Sequence, residues 1–140
     1  MGLDSYIIKR CSLIDAEWYQ PLWSAIKDTN NGQLINPIII ETEVAYWRKF
    51  FPLHKWLQIR LEAYGNATNY FMDINDFLEM RDCLIFQIKH LDVDVFNGNC
   101  NPELYKNDFE DALIRVEDII RELDNKDRDL NWKYYYRYEG

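Results

Sequence analysis

The apolar positions along this chain change period several times. Tyr6-Ile7-Ile8, set between polar neighbours, predicts a strand near residues 4–10, because β-branched and aromatic side chains suit a half-buried pleated surface. Leu34-Ile35-Asn36-Pro37-Ile38-Ile39-Ile40 predicts a second strand near residues 34–42. Pro37 has no N–H to give to a ladder, which places that strand at a sheet edge or confines its pairing to the later half. Between the two, Trp18, Tyr19, Leu22, Trp23 and Ile26 predict a short helix interrupted at Pro21, followed by a turn over residues 28–32.

A helical period then takes over. On a wheel of 100° per residue, Tyr46, Phe50, Leu53, Leu57 and Leu61 share one arc, which predicts a helix over residues 44–63 with a glycine cap at Gly65. Pro52 interrupts this wheel and predicts a kink or a break there. Phe77, Met80, Leu84, Ile88 and Leu91 predict a second helix near residues 74–91, with Asp73 as its N-cap. Asn97-Gly98-Asn99 and Asn101-Pro102 read as a loop. Phe109, Ala112, Leu113, Val116, Ile119, Ile120 and Leu123 make the cleanest stripe, a helix near residues 103–123 with an Asp111–Arg115 pair on its surface. Trp132 through Tyr138 are β-prone and predict a closing strand over residues 132–138. The expected fold is a single α+β domain over residues 1–140, a small antiparallel or mixed sheet packed by about three helices.

Composition supports a folded domain. The 140 residues are 48% hydrophobic and 16% aromatic, with five glycines and four prolines. Charge is placed unevenly: residues 1–63 hold seven Lys/Arg and seven Asp/Glu, whereas residues 64–140 hold nine and seventeen, so the net charge of −8 belongs to the second half. An acidic surface repels phosphate backbones, which disfavours direct nucleic-acid binding and leaves imitation of nucleic acid as an alternative. Cys11, Cys83 and Cys100 are odd in number and far apart, which predicts reduced thiols of a cytoplasm. No apolar run approaches the roughly 20 residues that span a bilayer.

Catalytic and cofactor signatures are absent. His54 and His90 lie 36 residues apart with no HExxH or CxxC near either, and no glycine-rich phosphate loop occurs, so no metal and no cofactor is expected. Glu41 with Glu43, and Asp92 with Asp94, are spaced as acid pairs, and solvated charge accounts for them. The candidate binding residues are Trp47, Arg48, Lys49, His54 and Lys55. The wheel places Trp47, Arg48, Phe51, His54 and Lys55 in one arc beside the core stripe, and Arg and Trp dominate interaction hot spots. Asp108, Asp111, Asp118 and Glu122, on the far side of the last helix, form the alternative acidic face.

The segment Met1-Gly2-Leu3-Asp4-Ser5-Tyr6, the stretch Val44-Ala45-Tyr46-Trp47-Arg48-Lys49 with Leu53-His54-Lys55-Trp56, and the late Tyr134-Tyr135-Tyr136 together resemble a family of small bacteriophage and prophage proteins. Where that family carries a glycine- and phenylalanine-rich segment, this chain has only Val95-Phe96-Asn97-Gly98. The resemblance implies a viral protein acting in the cytoplasm of a bacterial host. The leading expectation is a non-enzymatic accessory protein that binds and inhibits a host component, for example a nuclease or CRISPR effector, as an anti-defence protein. The alternatives are a nucleotide-binding protein or hydrolase using Arg48, Lys49, His54 and Lys55, and the acidic nucleic-acid mimic.

Overall fold

The computed structural model describes residues 2–12, 39–125 and 131–140. Four strands form one antiparallel sheet: β1 (Asp4–Ser12), β2 (Ile39–Arg48), β3 (Tyr70–Met72) and β4 (Lys133–Glu139), in the spatial order β2-β1-β4-β3. Three helices complete the fold: α1 (Phe51–Leu61), α2 (Ile74–Lys89) and α3 (Lys106–Asp124), the last entered through a 3₁₀ turn over Pro102–Tyr105. This is the α+β class expected from the pattern of apolar residues. The predicted interrupted helix over 14–28, the turn over 28–32 and the earlier half of the 34–42 strand lie outside the described residues.

One face of the sheet carries the core. Ile7 on β1, Ala45 and Trp47 on β2, Met72 on β3, and Tyr134, Tyr136 and Tyr138 on β4 are buried with Leu53 and Leu57 of α1, Phe77, Met80 and Leu84 of α2, and Phe109, Val116 and Ile119 of α3. The α2 and α3 stripes match their predicted periodicity, and α2 begins where Asp73 caps it. The Asp73 carboxylate accepts the Asp76 N–H at 3.0 Å, and the Asp76 carboxylate accepts the Asp73 N–H at 2.9 Å. That reciprocal pair satisfies two amides the first turn would otherwise leave open. The Asp111–Arg115 pair is present at 3.6 Å.

The opposite face is held by charge. Glu41 on β2 receives Arg137 of β4 at 3.0 Å and Arg10 of β1 at 3.4 Å, a bridge that crosses β1 at the level of Ile8.

The predicted helix over 44–63 is corrected by the structure. Residues up to Arg48 belong to β2, where Ala45 and Trp47 point inward while Tyr46 and Arg48 point outward, a period of two. The chain reverses at Lys49, whose φ of 57° is left-handed and whose N–H donates to the Leu3 carbonyl at 2.6 Å. Pro52 then falls in the first turn of α1, where its missing N–H costs nothing, so the expected break is a strand-to-helix junction. The far end of α1 also differs: Glu62, with φ 52°, makes the left-handed cap, while Gly65 packs under Tyr70, its N–H donating to the Tyr70 hydroxyl at 2.6 Å. Strand β3 has three residues, too few for any period to show in the sequence.

The loop after α2 is held by two side chains. Buried Gln87 donates to the carbonyls of His90 and Val93 at 2.9 and 2.7 Å and accepts the Val95 N–H at 3.0 Å. Asp94 accepts the N–H groups of Gly98 and Asn99 at 3.0 and 2.8 Å, which gives that carboxylate a structural task. Gly98 rests on the start of α1, so a Cβ there would lie 2.8 Å from Pro52 Cα. Gly98→Ala is therefore expected to destabilise the fold by roughly 1–3 kcal/mol through overpacking against backbone. Asp73→Ala, which opens the capping box, is expected to cost about 1 kcal/mol. Urea unfolding of both variants beside the parent checks the two values.

Candidate functional site

The end of the sheet where β1 starts and β2 and β4 finish brings together the candidate residues near 48–55. β1 supplies Ser5 and the preceding Gly2 and Leu3. The reversal after β2 places Arg48 and Lys49, the first turn of α1 places Phe51 and His54, and the end of β4 supplies Tyr136, Tyr138 and Gly140. Gly2, Leu3, Phe51, His54, Tyr138 and Gly140 line an open pocket of about 210 Å³. Arg48 and Lys49 flank it: a methyl group built on Gly2 would lie 3.8 Å from Arg48 Nε and 3.9 Å from Lys49 Cε.

The floor is a chain of hydrogen bonds. The Tyr136 hydroxyl is hydrogen-bonded to Ser5 Oγ at 3.2 Å and to His54 Nδ1 at 2.6 Å. Tyr138 donates to the Ala63 carbonyl at 2.9 Å and accepts from Gln58 Nε2 at 3.4 Å, and its ring meets the His54 ring edge to face at 4.5 Å. Burial pushes the imidazole below its ordinary value, which keeps His54 neutral near pH 7. Burial pushes the Tyr136 phenol far up, with a smaller contribution from Tyr138, so its proton stays in place.

The hydroxyl-bearing residues of this arrangement, Ser5, Tyr136 and Tyr138, are buried. Ser5 is 2% exposed and cannot meet a substrate, and among the described residues no carboxylate is hydrogen-bonded to His54 to orient it as a base. Among the described residues no group of three or more His, Cys, Asp or Glu is placed to hold a metal ion. A cavity of about 370 Å³ lies at the other end of β4, lined by Phe71, Asp73, Leu123, Asp124, Trp132 and Lys133 among others. The Asp73 carboxylate there is already committed to capping α2.

The structure separates the sequence candidates. Arg48, Lys49 and Lys55 are exposed, and His54 is half-buried at the pocket. Trp47 is corrected: it is 3% exposed on the inner face of β2, and its indole N–H donates to Asp111 Oδ2 at 2.9 Å. It does not share a face with the cations, because strand alternation turns Trp47 inward and Arg48 outward.

The acidic side of α3 is corrected as well, since it is not a free solvent face. Asp111 holds Trp47 and Arg115, Glu122 receives Lys9 at 3.1 Å, and Asp118 pairs with Arg121. Asp108 is half-buried, and burial together with neighbouring Asp111 raises its carboxyl above the usual range. The residues missed from sequence are Tyr136 and Tyr138. Their signal was the alternation of β4, which sends every second residue of the tail, Tyr134, Tyr136 and Tyr138, inward.

Protein-family models, curated proteins and solved structures gave no match to the chain.

The His54 shift carries a pH signature. The unfolded imidazole, with a pKa of about 6.5, takes its proton before the folded one does. The stability tied to neutral His54 is thus full above about pH 6.5 and is lost as pH falls through the lower folded value. Urea midpoints at about pH 7.5 and about pH 5 are expected to drop less in His54→Gln, which cannot take up the proton, than in the parent.

Proposed function

We propose that this protein is a non-enzymatic binding protein that engages a partner protein through the Leu3, Phe51, His54 and Tyr138 pocket and its cationic rim. In the setting the phage resemblance implies, the partner is a component of the bacterial host, and occupancy inhibits it.

One observation carries this reading. In a chain of net charge −8, Lys9, Arg10, Arg60, Arg81, Arg115, Arg121 and Arg137 are each paired with a carboxylate. Arg48, Lys49 and Lys55, within eight residues of one another, enter no ion pair among the described residues. Lys89, Lys106 and Lys133 are also outside ion pairs, but they are spread over three elements. Arg48 and Lys49 lie beside an apolar hollow, which is what a complementary partner needs, since charge steers the encounter and a buried anchor supplies affinity.

The nucleotide alternative fits less well, because the pocket is below the roughly 300–1,000 Å³ typical of ligand sites. The mimic alternative loses support from the internal ties of Asp111, Asp118 and Glu122.

Affinity capture from a bacterial lysate tests the proposal. The parent protein is expected to retain a specific partner that the exposed-site variant Arg48→Ala/Lys49→Ala loses. Equal recoveries from parent and variant, or no specific partner, would overturn it. Trp47→Ala is unsuitable for this comparison, since it opens a cavity in the core.

A further inference from the structure

We infer that the segment taken by this pocket is an acidic stretch of polypeptide that inserts one branched-aliphatic or aromatic side chain, with its carboxylates on Arg48 and Lys49. The inference rests on the binding reading above and names the chemistry of the partner.

The walls set the first requirement. Leu3 and the rings of Phe51 and Tyr138 face the hollow, and Phe51 is 44% exposed, an apolar ring left partly in water. Two polar groups at the floor are already bonded: the Tyr138 hydroxyl is held between Ala63 and Gln58, and His54 Nδ1 is bonded to Tyr136. Burial keeps His54 neutral, so the floor offers no charge to an inserting group. A volume of about 210 Å³ suits one side chain and little more. Filling it removes apolar surface from water, which favours binding.

The rim sets the second requirement. The Arg48 guanidinium can take a carboxylate with two parallel hydrogen bonds, and Lys49 adds a point charge beside it. Asp4 lies opposite Arg48 in the sheet register, but it accepts the Tyr46 hydroxyl at 2.7 Å. Glu139, opposite Asp4 on β4, is one strand further away.

An isolated phosphate is disfavoured by the backbone. Anion sites at a helix start use free amides. Here Pro52 has none and the His54 N–H is bonded to Phe50, so two positions of the first turn cannot serve. A phosphate would also leave the apolar walls unused.

The test is an NMR titration of the full ¹⁵N-labelled chain with a blocked peptide that carries a central leucine between pairs of glutamates. Saturable shifts are expected at the amides of Gly2, Leu3, His54 and Tyr138. Replacing the peptide's leucine by serine is expected to weaken binding about tenfold or more, equivalent to about 1.4 kcal/mol. Replacing its glutamates by glutamine is expected to weaken binding similarly with the parent protein, but to have little effect with Arg48→Gln/Lys49→Gln. Shifts at other residues, indifference to both peptide changes, or reproduction of the same shifts by inorganic phosphate alone would overturn the inference. The lysate capture separates the two levels. If the peptide fails while capture still depends on Arg48 and Lys49, the peptide chemistry falls and the binding reading stands; if capture fails too, both fall.

Discussion

The hydrogen bond from the Lys49 N–H to the Leu3 carbonyl is the constraint on which the arrangement turns. It fixes a left-handed residue at the end of β2 against the start of β1, and so sets where α1 leaves the sheet. Phe50 follows at once and is fully buried, its ring against Trp47, Tyr105 and Phe109. One reversal therefore aims three consecutive residues at different tasks: Arg48 and Lys49 toward solvent and Phe50 into the core. A lysine in left-handed conformation is strained relative to glycine, and the surrounding contacts must over-determine it. What it gains is position, since the cation is delivered to the edge of the pocket by the bend itself.

Distribution of charge explains why that edge is distinctive. Six carboxylates of the acidic second half are tied into the fold. Asp73 and Asp76 cap α2, Asp76 and Glu79 hold Arg60, Asp94 ties the following loop, and Asp111 and Glu122 join α3 to the sheet. Each of these contacts contributes modestly, because partly exposed pairs are screened by solvent.

Much of the fold was legible because long elements repeat their period. Phe109 through Leu123 and Phe77 through Leu84 alternate at helical spacing over several turns, and Asp73 announced its cap. Residues 44–63 misled because aromatic density imitates a wheel. Tyr46, Phe50 and Leu53 align at helical spacing, yet Tyr46 lies outward on a strand while Phe50 and Leu53 are buried beyond a reversal. Pro52 marked the true boundary, and only the element before it was misassigned. The cationic part of the site was legible as a cluster in the chain. Its floor was not, because Ser5, His54 and Tyr136 meet through strand pairing across |i−j| separations of up to 131 residues, which no local pattern encodes.

The tyrosine tail has a consequence for how the sheet finds its alignment. The inward residues of β4 are Tyr134, Tyr136 and Tyr138, and the outward ones between them are Tyr135 and Arg137. A strand made only of inward phenylalanines would tolerate sliding, since grease has no preferred mate. Here the hydroxyl of Tyr136 must reach Ser5 and His54, and that of Tyr138 must reach Ala63 and Gln58. A shift of one residue would turn Arg137 into the core and leave both phenols without those mates. The tail thus carries its own proofreading: each ring fills space, and each oxygen checks that the space is the right one.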